Sequence, residues 1–78
     1  MYTIYRKATF ERPLSTTIYT VTIRKWDNDA SPYEVVDEME DYENDYNPGY
    51  YHVHECNDFN SAFELFMSFV DSATACLY

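Results

Sequence analysis

Ser31-Pro32-Tyr33-Glu34-Val35-Val36-Asp37-Glu38-Met39-Glu40-Asp41-Tyr42-Glu43-Asn44-Asp45-Tyr46 is the stretch on which the fold turns. Ser31 suits a helix N-cap, Pro32 the first helical position and Glu34 the third. Together they make a capping box with a proline where its missing N–H costs nothing. Val35, Met39, Tyr42 and Tyr46 recur at i, i+4, i+7 and i+11, one face of a helix with Val36 beside it. Asn47-Pro48-Gly49 supplies the stop, because the residue before a proline disfavours the helical region. This reading predicts an amphipathic helix with one apolar edge. Glu34, Glu38, Asp41 and Asp45 would form one acidic row and Asp37, Glu40 and Glu43 a second. Neighbours within a row would stand about 5–6 Å apart, with no Lys or Arg to relieve them.

The rest of the chain arranges itself around that element. Residues 2–10 read as a strand with Tyr2, Ile4, Ala8 and Phe10 on one face, though Arg6 falls on the same face. Pro13 suits the link that follows. Residues 16–26 alternate Tyr19, Val21 and Ile23 against Thr20, Thr22 and Arg24, and should pair with the first strand as a hairpin. Residues 50–56 read as a third strand, with Tyr51 and Val53 opposite His52, His54 and Cys56. Asn57-Asp58 offers a cap for a second helix over about 59–75. Its stripe is Ala62, Leu65, Phe66, Phe69, Val70 and Ala73, which Cys76 and Leu77 could continue. The expected fold is α+β, β-β-α-β-α, with a three-stranded, mainly antiparallel sheet and two helices on one face.

Seventy-eight residues make a single small domain, 46% hydrophobic and 19% aromatic, too apolar for a disordered acidic tail. No apolar run is long enough to span a bilayer and no secretory leader is evident, so a cytoplasmic protein with Cys56 and Cys76 as thiols is expected. Charge is sharply segregated. All five basic residues lie in the first 25 positions, and the net charge is −9. Thirteen acids follow, nine of them between Asp27 and Asp45. Such a surface argues against direct binding to nucleic acid or anionic membranes. It favours a basic protein partner.

Several readings compete for the acids. They could simply solvate a small domain. They could imitate a nucleic-acid backbone and occupy the basic groove of a protein built to grip DNA. In that case Asp27, Asp29, Glu34, Asp37, Glu38, Glu40, Asp41, Glu43 and Asp45 would meet Arg and Lys, with Tyr33 and Tyr46 at the margin. A calcium loop starting at Asp27 fails, because Pro32 stands where a glycine is needed. His52, His54 and Cys56 share a strand face and are a weak candidate zinc set without a fourth ligand. Phe63 and Met67 lie beside the main helical stripe, as extra core or as a contact patch. No phosphate loop, nucleophile elbow or paired metal motif supports catalysis, and no cofactor is expected.

In size, acidity and compact sheet-and-helix plan, with the acidic Ser31–Asp45 segment, the chain resembles small phage-encoded inhibitors of bacterial defence, in style the anti-CRISPR proteins that act as DNA mimics. The resemblance implies a non-enzymatic inhibitor of a nucleic-acid-binding protein or complex, such as a Cas effector in the host bacterial cytoplasm. It carries no diagnostic motif. The alternative is an acidic interaction module, antitoxin-like or a regulatory subunit, binding a basic host protein mainly through Phe63, Met67 and tyrosines. Monomer and dimer fit either reading.

Overall fold

The computed structural model describes residues 1–11, 17–41 and 49–77, with side chains as far as residue 75. Four strands, β1 (Tyr2–Glu11), β2 (Thr17–Trp26), β3 (Tyr33–Asp41) and β4 (Tyr50–Cys56), precede one helix, α1 (Phe59–Leu77). The sheet is an antiparallel meander in the order β1-β2-β3-β4. The expected three strands and two helices are thus corrected to four strands and one helix, still an α+β plan. The acidic stretch is the element that changed: residues 33–41 form a central strand, hydrogen-bonded on both sides.

The physical reason lies in that stretch itself. It carries a two-residue period beneath the helical one. Tyr33, Val35 and Met39 alternate with Glu34, Val36, Glu38 and Glu40. Val35 and Val36 are β-branched and fit a pleated surface better than a helix. A helix would stack like charges at i, i+4 about 5–6 Å apart, whereas a strand opens the same interval to about 13 Å. Pairing with β2 and β4 then outweighs a local capping signal. Glu43, Asp45 and Tyr46 lie outside the described residues.

Asn28 organises the turn between β2 and β3. Its side-chain oxygen accepts from the Ala30 amide at 3.0 Å, and its carbonyl accepts from Lys25 Nζ at 2.8 Å and from the Ser31 amide at 2.9 Å. Ser31 therefore closes a turn instead of capping a helix. Between β3 and β4, Gly49 adopts φ 88°, and a Cβ there would collide with the Met39 carbonyl oxygen. Only glycine suits that position.

The strand register gives the sheet two unlike faces. On one face Val21, Ile23 and Val35 are fully buried against Ala62 and Phe66 of α1, with Ala8, Tyr19, Tyr33, Cys56, Phe59, Leu65, Phe69 and Val70 around them. Burying each large aliphatic side chain contributes about 1.5–3 kcal/mol, the main favourable term for so small a core. Asp58 caps α1, its carboxylate accepting from the Ser61 amide at 2.7 Å. The expected helical stripe from Ala62 to Ala73 faces the sheet or its margin.

Candidate partner-binding face

Among the described residues, no helix covers the second face. Its composition follows from an irregularity in β1. The β1–β2 register shifts between Ile4 and Arg6, so that Ile4 pairs with Arg24 and Arg6 with Ile23. The extra residue, Tyr5, lets the strand change phase. Ala8 and Phe10 therefore face α1 while Tyr2 and Ile4 turn to the open side. The shift also accounts for Arg6 on the inner face. It lies over the margin of the core, its guanidinium 5.7 Å from the Phe59 ring centroid.

The open face reads across the strands in rungs. Ile4, Arg24, Glu34 and Glu55 form one; Lys7, Thr22, Val36 and Val53 the next; Thr9, Thr20, Glu38 and Tyr51 the third. Tyr2 and Trp26 lie beyond the first rung. Glu11, Ile18 and Glu40 lie beyond the third. Glu38 and Glu40 are thus about 7 Å apart along β3.

Arg24 is the centre of this face. Its Nε donates to Glu34 Oε1 at 2.9 Å, and Trp26 Nε1 donates to the same oxygen at 2.9 Å. The guanidinium carbon lies 5.1 Å from the Tyr2 ring, 5.5 Å from Trp26 and 6.0 Å from Tyr51. The contact with Tyr51 spans the Val36 rung, which accounts for Val36 being only 3% exposed on a face without a helix. Burial disfavours the charge on Arg24, but hydrogen bonds to Glu34 and Tyr51 outweigh it and hold its pKa above the ordinary value. Arg24 also neutralises Glu34, which otherwise stands directly opposite Glu55, a destabilising like-charge pair.

Around this centre the face is apolar and acidic. Tyr2, Ile4, Trp26, Tyr51 and Val53 are each 41–54% exposed. Glu38, Glu40 and Glu55 have no ion partner among the described residues. The sequence reading missed Tyr2, Ile4, Arg24, Trp26, Tyr51 and Val53 as a group. The alternations that place Tyr51 with Val53 and Tyr2 with Ile4 were the available signal, but the phase change at Tyr5 obscured which face they share.

The acids expected to act together are dispersed. Glu34, Glu38 and Glu40 are on the open face. Asp37 is on the α1 side, 6% exposed, and is hydrogen-bonded to His54 Nε2 at 2.8 Å. Asp41 ends β3 opposite Thr17. Asp27 accepts from Thr3 Oγ1 at 3.0 Å and Asp29 is exposed in the turn. Tyr33 packs edge-on against Phe59 and Tyr5 at the core margin.

Near Asp37 lie Tyr19 and Tyr50. Burial and then the neighbouring Tyr50 push the Tyr19 pKa far up; burial and then Asp37 raise that of Tyr50. His52, His54 and Cys56 do share one face, on the α1 side. His54 is engaged with Asp37, and no group of three metal-capable side chains occurs among the described residues. Burial, with Asp58 nearby, raises the Cys56 thiol pKa, so it is less reactive than a free thiol. Among the described residues no helix is long and apolar enough to cross a membrane.

Comparison of the chain with protein-family models, curated proteins and solved structures finds no match.

Proposed function

We propose that this chain is a non-enzymatic binding protein that occupies a basic, nucleic-acid-gripping surface on another protein, in the style of a DNA-mimic inhibitor of a Cas effector. The observation that carries this reading is the separation of charge, with no Lys or Arg after Lys25 and thirteen acids beyond it. Glu38, Glu40 and Glu55, without an ion partner among the described residues, support it, because they stand on hydrogen-bonded strands instead of a loop. Carboxylates fixed in this way lose little entropy on pairing with Arg and Lys. The field they create speeds association and makes it salt-sensitive. Within residues 33–41 the expected helix plays no part, since Glu34, Glu38 and Glu40 are displayed by β3.

The test adds the purified chain to purified CRISPR effector complexes and measures binding of their target DNA. The expected result is loss of DNA binding at low salt by at least one effector, relieved as salt rises. Undiminished DNA binding by every effector tested at low salt would overturn the nucleic-acid-groove reading.

A second reading has its own observation, the five exposed apolar side chains on the open face. They suit an acidic interaction module, a regulatory or antitoxin-like subunit, held chiefly by apolar contact. Complex stability that barely changes with salt would favour it.

A further inference from the structure

The proposed function names a basic partner without saying which basic side chain is read or where. We infer that the open face of the sheet is an arginine-reading surface, on which guanidinium groups of a partner stack against Tyr51 and Trp26 and pair with Glu38, Glu40 and Glu55. This inference rests on the basic-partner reading.

The face already holds one guanidinium in that manner. Arg24 lies within 6.0 Å of three aromatic rings and bonds a carboxylate at 2.9 Å. What the chain does internally at Glu34 it can repeat outwardly, because the same rings are 42–54% exposed and three carboxylates beside them are unpaired among the described residues. Planarity and weak hydration let guanidinium stack on a ring while pairing with a carboxylate, whereas ammonium is a strongly hydrated point charge. A sheet face bearing Tyr, Trp and Glu therefore discriminates between the two.

Other occupants fit less well. A second copy would set Glu38, Glu40 and Glu55 against their own kind, in a chain of net charge −9, with Arg24 already engaged. Among the described residues, Lys7 is the remaining cation on the face. A nucleic acid or anionic membrane would meet the same repulsion.

Trp26 is the only tryptophan, so its emission, excited beyond the tyrosine absorption band, reports on this face. The probes are an Arg-rich peptide and the same peptide with every Arg replaced by Lys. The expected result is saturable binding of the Arg peptide with a change in Trp26 emission. The Lys peptide should bind about three- to tenfold more weakly. The double variant E38K/E55K, confirmed folded by its amide spectrum, should weaken the Arg peptide more than about tenfold. Equal affinity for the two peptides would overturn arginine reading. Binding that shifts amides of α1 but leaves Trp26, Tyr51 and Glu38 unmoved would overturn the face and leave the basic-partner reading standing. No binding of either peptide at low salt would overturn both. Concentration-dependent dimerisation that buries Trp26 would replace the partner with a second copy.

Discussion

Replacing Arg24 with Met should reveal how far the open face is a built structure. The substitution keeps an unbranched chain to pack over Val36 but removes the charge. Glu34, whose side chain is 12% exposed, would keep only the Trp26 indole as a donor and would face Glu55 with its charge unbalanced. Stranding one partner of a fully buried pair costs about 3–5 kcal/mol; the residual exposure here discounts that to about 2–3. Contacts with three rings add about 0.5–1 kcal/mol each at most, and the terms overlap. The expected loss is about 3 kcal/mol, a large fraction of the stability of a domain this size. Urea unfolding followed by circular dichroism measures it. With a slope near 1–1.5 kcal/mol/M, the midpoint should fall by about 2–3 M. The double variant R24M/E34M removes both charges and should recover at least about half the loss, because the penalty lies in the stranded carboxylate. A loss below about 0.5 kcal/mol for R24M, or a double variant no better than the sum of the singles, would refute the reasoning.

Three further outcomes follow from the fold. Gly49→Ala should cost more than about 2 kcal/mol by urea unfolding, because φ 88° strains an L-residue and the new methyl meets the Met39 carbonyl. Asp58→Ala should cost about 1 kcal/mol through loss of the α1 N-cap, and Asp58→Asn much less. Tyr19 and Tyr50 hold their protons in the folded state above the ordinary tyrosine value, while the unfolded chain releases them near pH 10. The unfolded state then binds fewer protons, so stability should be full below about pH 10 and fall as pH rises beyond it. Tyr19→Phe should flatten that decline in a series of urea titrations across alkaline pH.

Much of the scaffold can be read locally. The stripe Ala62, Leu65, Phe66, Phe69 and Val70 predicts α1 because a helix is decided within its own turns. The alternation of Tyr19, Val21 and Ile23 predicts β2 for the corresponding reason. Residues 33–41 carry both periods, and the choice between them is made by β2 and β4, which no local window contains. The consequence for the site is direct. As a helix, Asp37 would belong to an acidic row; as a strand residue it turns beneath α1 toward His54, and its reversal would test folding instead of recognition. The Arg24 cluster was hidden because its rings come from three strands. The phase shift at Tyr5 that brings Tyr2 and Ile4 to the same side has no clear mark in composition.

The most direct measurement compares affinity for the Arg-rich peptide among three forms: the natural chain, E38K/E55K on the open face, and E64K/D71K on α1. The two variants change net charge equally, so any difference between them reports position. The account predicts near-complete loss of binding for the open-face variant. The other should stay within a few-fold of the natural chain, as exposed charges a Debye length away are largely screened. Equal weakening of both would show that overall charge, and not this face, attracts the partner.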